Sequence, residues 1–182
     1  MKERGILFTP ENVQLILDGA KVQTRRIVKL AASGRIKLAG SPRNWHPQDP
    51  EAVQACPFGT VGDRLYLREG LYRYSNGIAY KRPPPCYRSV TWRWKKNTLS
   101  PRYMPKDCAR LWLEITNVRI ERVQDISQHD AAEEGCGDDL IVPPRCRIRY
   151  EAIWSGIHGY TGEDSWAANP YVWAISFRRI KS

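Results

Sequence analysis

Residues 19–26, GAKVQTRR, place a lysine, a threonine and two arginines within one short stretch, and no acidic residue follows until Asp49. A threonine hydroxyl becomes a useful nucleophile when a base takes its proton. Lys21, three positions ahead of Thr24, can be that base, and a carboxylate from elsewhere could supply a proton to a leaving group. The residue types alone leave this chemistry open against a plain solvated basic loop. The same stretch opens a run of seven cations, Lys21, Arg25, Arg26, Lys29, Arg35, Lys37 and Arg43, with no acid among them. Clustered cations of this kind neutralise phosphates and release counterions. Arg25, Arg26 and Lys29 are therefore expected to bind an anion, with Arg26 as the anchor because its planar fork pairs with phosphate in two places.

These residues need a frame. FTPENVQLILDGAK predicts a helix: Thr9 caps, Pro10 takes the first helical position, Val13, Ile16 and Leu17 share a face, and Gly19 stops it. Lys21 to Arg26 then leave the helix end as a loop or extended segment. Residues 30–60 read as loop. Gly62-Asp63 is a turn signal, with an alternating strand over 64–69 behind it, where Arg68 or Glu69 could edge a site. A hairpin is expected around Asn76-Gly77. Residues 81–107 predict a Pro-rich, irregular insertion. Its Trp92 and Trp94 sit among arginines and lysines, and they either stack on unpaired bases or pin the insertion by burying area.

A long strand is expected over 111–123, with a bulge where its apolar phase shifts between Ile115 and Val118. SQHDAAEEG predicts a short helix with Ser127 as cap, Asp130 completing a capping box and Gly135 as the stop. RIRYEAIWSGI predicts a further helix with Tyr150, Ile153, Trp154 and Ile157 on one face. A closing strand over 171–180 carries Tyr171, Trp173, Ile175 and Phe177 on one side. Strands with segregated short helices argue for an α+β, barrel-like single domain over 1–182, not a doubly wound sheet.

Composition bounds the partner. The chain has 182 residues, a net charge of +10, seven tryptophans and nine tyrosines, so it can build a core and favours a polyanion. Single-stranded RNA or DNA, or a modified nucleoside, is the expected partner. No apolar run approaches a membrane span, and five unpaired-looking cysteines are simplest as free thiols in the cytoplasm. His129, Cys136 and Cys146 match no known zinc spacing, so neither a metal nor a cofactor is expected.

Gly19 to Arg26 resembles the G-x-K-x-x-[TE]-x-R signature of the ASCH family, within the PUA-like superfamily. GTVGDRLYLRE, LWLEITNVRIERVQDISQHDAAEEG and YEAIWSGI…WAANPYVWAISFRRI resemble further blocks of that family, the last of them in its larger, phage- and prophage-associated branch. The resemblance implies a β-barrel of five or six strands, with helices around a cleft lined by the signature. It implies one of two activities, removal of the acetyl group from N4-acetylcytidine or ribonuclease action, or else non-catalytic binding of nucleic acid. For the amidohydrolase it assigns Lys21 as proton acceptor, Thr24 as nucleophile and Glu134 as proton donor, with Glu133 as the alternative should the register slip by one. The 81–107 insertion and the tryptophan-rich C-terminus have no counterpart in the minimal amidohydrolases.

Overall fold

The computed structural model of the chain describes residues 1–37, 44–74, 77–80, 91–137 and 145–180. In chain order they form β1 (Glu3–Leu7), α1 (Pro10–Leu17), β2 (Gln23–Ile27), β3 (Ile36–Lys37), β4 (Asn44–Trp45), β5 (Arg64–Arg68), β6 (Leu71–Tyr74), β7 (Gly77–Tyr80), β8 (Thr98–Leu99), β9 (Trp112–Arg122), α2 (Gln128–Glu133), α3 (Cys146–His158) and β10 (Tyr171–Ile180).

The central sheet runs β1-β5-β9-β10-β2. β1 and β5 are parallel and the other neighbours antiparallel. The three strands expected to share one sheet, over 64–69, 111–123 and 171–180, do so as β5, β9 and β10. The α+β class holds, but the expected closure does not appear: among the described residues β1 and β2 are the two edges of an open sheet. The anticipated bulge sits at Thr116, where the register passes from Asn117↔Ser176 to Ile115↔Phe177. One extra residue there sharpens the local twist of the longest strand pair.

Three apolar clusters hold this frame. The first packs α1 and the turn of helix at 50–55 onto one face of the sheet, where Trp173, Ile175 and Phe177 of β10 meet Val13 and Ile16 of α1. The second packs α2 and α3 on the other side, with Val172 against Tyr150 and Trp154. The third lies under the small sheet β7-β6-β8. Each fully buried Leu, Ile or Val side chain contributes roughly 1.5–3 kcal/mol against exposure.

α1 follows its sequence signals: the Thr9 side chain accepts the Asn12 N–H, Pro10 is the first residue, and Gly19 takes a left-handed φ of 78°. The segment after it is β2, an edge strand paired with β10, where a loop or extended run was expected. The 30–60 region holds the β3–β4 pair and a short 3-10 helix at Pro50–Ala55. The β6–β7 hairpin forms, although Asn76 lies outside the described residues, as do 81–90 of the insertion. No helix among the described residues is long and apolar enough to cross a membrane.

Candidate functional site

β2 is the strand on which the site turns. Its pairing sets Thr24 opposite Ile175 and Arg26 opposite Trp173, on the α1 side of the sheet. Gln23, Arg25 and Ile27 take the opposite, α2–α3 side, because strand side chains alternate. A cavity of about 170 Å³ wraps over this free edge, between α1, the end of α2, and α3. Lys21, Thr24, Arg26 and Glu134 all line it.

Lys21 reaches the cavity from the turn after α1, where the backbone N–H groups of Ala20 and Lys21 both donate to Leu15 C=O. Its ammonium donates to the Glu134 carboxylate at 2.5 Å and to the Glu134 carbonyl at 2.7 Å. The ion pair is buried, with 4% and 5% of the two side chains exposed. Glu134 is held from behind: α2 ends on it, its N–H donates to Asp130 C=O, and Val22 N–H donates to Glu133 C=O. Gly135 follows with φ 90°, a conformation that favours glycine, and a Cβ there would stand 2.7 Å from Leu15 Cδ1, so the Leu15 side chain would have to shift. Glu133 instead turns to Gln23 Nε2 at 3.0 Å and does not line the cavity. The Thr24 side chain is buried, and its hydroxyl has no hydrogen-bond partner among the described residues.

The other basic side chains divide sharply. Arg25, expected as an anion contact, is instead fully buried as a structural hub. Its guanidinium donates to Glu121 at 2.6 and 2.8 Å, to Gln23 at 2.7 Å, and to Asp130 and Glu134 at 3.3 Å. Burial alone would pull Arg25 down, but Glu134 and Glu121 carry it above its ordinary value. Among the described residues the Arg26 side chain donates once, to Leu7 C=O, and its guanidinium lies 5.1 Å over the Phe8 ring. Burial lowers its pKa from the usual value. Lys29 is exposed and lines a separate groove. Arg68 donates to Arg102 C=O and to the Tyr66 hydroxyl, away from the cavity, and Glu69 pairs with Arg110. Trp92 and Trp94 pack edge to face at 4.9 Å against the third cluster. Trp92 Nε1 donates to the carbonyls of Trp94 and Lys96. Both indoles are partly buried against that cluster.

The spacing of Tyr150, Ile153, Trp154 and Ile157 marks α3 as a packing helix, but its face also meets the cavity. Tyr150 and Trp154 form the inner wall of the cavity, while Ile153 and Ile157 stand half or more exposed at its mouth, next to His158. The pattern that signalled a packing face had no means of separating residues that fill a core from residues that line a void. Burial, then Glu134, keep the Tyr150 hydroxyl protonated far above the ordinary tyrosine range. Cys136 lines the same wall, and burial pushes its thiol up to about 11. Burial lowers His158 below the usual histidine value. Among the described residues the grouping able to hold a metal ion is His129, Asp130 and Glu133 on α2. Asp130 there already accepts from Arg25 and Arg119, and Cys136 and Cys146 lie in the core.

No family model matches the chain, and no curated protein matches it. Two solved structures do. One is an ASCH domain from Lactobacillus crispatus JV V101, at 13% identity and TM-score 0.40, covering 98% of this chain and 79% of that one. The other is a DUF984 protein from Enterococcus faecalis V583, at 10% identity and TM-score 0.45, covering 99% of this chain and 80% of that one.

Proposed function

We propose that this cavity binds the base of an N4-acylated cytidine and that the chain hydrolyses its exocyclic amide. One observation carries the reading: Lys21, Thr24 and Glu134 line a single cavity, with the lysine amine in contact with the carboxylate and the threonine hydroxyl unpartnered among the described residues. The void is smaller than the roughly 300–1,000 Å³ of pockets for drug-sized ligands, and so suits one ring with a small substituent. The edge of β2 adds recognition. Val22 C=O and Val28 N–H are turned toward β10, so alternation turns the N–H and C=O of Arg25 and Ile27 to the free edge beside the cavity.

The chemistry balances with one proton shared across the Lys21–Glu134 contact. When it rests on Glu134, the free Lys21 amine takes the Thr24 hydroxyl proton as the oxygen attacks the acyl carbon. Glu134 gives its proton to the departing cytidine amine, and the acyl group remains on Thr24. Water then attacks the ester, passing a proton to the Glu134 carboxylate, while Lys21 returns one to the Thr24 oxygen.

A second reading, binding without turnover, is favoured by one feature: both hydrogen bonds of the Lys21 ammonium among the described residues go to Glu134 and none to Thr24. Incubation with N4-acetylcytidine separates the two. Hydrolysis predicts release of cytidine and acetate, lost in Thr24→Val while nucleoside affinity changes less than about threefold. Binding without acetate release leaves the second reading, and absence of binding removes both.

A further inference from the structure

A second, larger cavity of about 400 Å³ lies on the far side of Phe8, and nothing described so far uses it. Phe8, Pro10 and Val13 form one wall, from β1's end and α1. Gly70, Leu71 and Tyr72 form another, closed by Leu99 of the small sheet. Its floor is apolar and buried at Val13 and Leu71, whereas Tyr72 stands 38% exposed at the rim.

Glu69, only 6% exposed, also lines the cavity, and Arg110 donates to both oxygens of its carboxylate, at 2.7 and 2.8 Å. Each carboxylate oxygen has capacity for a further hydrogen bond. An apolar slot with an aromatic rim and one buried acceptor fits a planar ring that carries an N–H donor.

The two cavities share a wall. Phe8 lines the larger one, and the Arg26 guanidinium that lies over its ring lines the smaller one. α1 straddles the pair, with Val13 facing one and Asn12 the other. Among the described residues the only protein acceptor of the Arg26 side chain is Leu7 C=O, which leaves most of its five N–H donors for a ligand. A cation beside both cavities is where the one phosphate that links successive bases of a single strand would sit.

We propose that the larger cavity receives the base of the neighbouring nucleotide, one with an exocyclic amine, while Arg26 holds the linking phosphate. The ligand is then single-stranded RNA and not the free nucleoside. This rests on the nucleobase reading of the smaller cavity.

The test measures affinity in the Thr24→Val background, so that no ligand turns over. The probes are N4-acetylcytidine, the two dinucleotides that join it to adenosine on its 5′ or its 3′ side, and the same dinucleotides with an abasic neighbour. One dinucleotide is expected to bind about tenfold tighter than its abasic counterpart, the scale of a single base–aromatic stack. Gly70 has room for a Cβ, its nearest neighbours being 3.9 Å away, so Gly70→Leu fills the slot without forcing the backbone. That variant should bring the adenosine-to-abasic ratio to about one, and the exposed Tyr72→Ala should lower it, giving a second reading if Gly70→Leu fails to fold. Equal affinity for adenosine-bearing and abasic dinucleotides in both orders overturns the subsite, as does a preference that survives both substitutions. If N4-acetylcytidine binds and the dinucleotides add nothing, the subsite alone is wrong. If no probe binds, the nucleobase reading falls with it.

Discussion

The Lys21–Glu134 pair is where stability and chemistry meet in one contact. Both side chains are buried, and Arg25 lies beyond at 3.3 Å from the other Glu134 oxygen. Removing the lysine strands a buried carboxylate with a single, longer partner. Lys21→Met should therefore cost about 3 kcal/mol in urea unfolding, and Lys21→Met combined with Glu134→Leu should cost less than the single change, because no orphaned charge remains. A parallel expectation holds for Cys136, whose thiol burial raises to about 11. At pH 8 it is almost wholly protonated, so iodoacetamide should label it slowly in the native protein and rapidly after unfolding, with native labelling rising only as pH approaches 11, as read by peptide mass spectrometry. Lys21 and Thr24 stood out by residue type, whereas the residues alone chose no carboxylate and Glu134 came from the family resemblance; all three line one cavity. The division of labour between Arg25 and Arg26 was not legible. Adjacent residues on a strand face opposite ways, and QTRRI carries no apolar alternation to announce a strand.

At the level of elements, the site depends on two short helices held by their ends. α2 spans only six residues, too few to persist by propensity alone. Ser127 caps its start, donor groups of α1's turn and β2 meet its end, and Gly135 permits the approach of Leu15. Gly135→Ala should strain the backbone at φ 90° and displace the Leu15 side chain, lowering stability by about 1–3 kcal/mol and lowering turnover more than nucleoside affinity, since the strain falls beside Glu134 while the β2 edge remains. Thermal unfolding alongside steady-state kinetics measures both. α1 was readable because Thr9, Pro10 and Gly19 each have a local physical role that does not wait on tertiary contacts. The β3–β4 pair was not, since two-residue strands carry no periodicity. The placement of α3 over the cavity was equally hidden, because helical spacing fixes a face and not what that face will meet.

For the whole molecule, the net charge of +10 overstates what a strand can touch. Lys21 and Arg25 are buried and paired, and Arg93 and Arg178 are bridged to Asp107 and Glu114. Arg26 and the exposed Lys29 and Arg35 remain near the β2 end of the chain's basic run. With about three phosphates neutralised, the log–log salt dependence of single-stranded RNA binding should have a slope of roughly −2, where a reading from the basic run alone would expect a steeper one. Arg26→Ala should flatten it by about 0.7, as measured by fluorescence anisotropy from 50 to 200 mM salt. The α+β class and the shared sheet of β5, β9 and β10 were visible in the order of blocks, whereas the open edge at β2 followed from pairing alone. On that edge rests the claim that Thr24 attacks an acyl group with Lys21 and Glu134 beside it. The most direct measurement is mass spectrometry of the protein quenched in acid during turnover of N4-acetylcytidine. An acetyl group is expected on the peptide containing Thr24, present in the wild-type chain and absent from Thr24→Val. Release of acetate with no acetylated peptide at any time, or with undiminished rate in Thr24→Val, would contradict it.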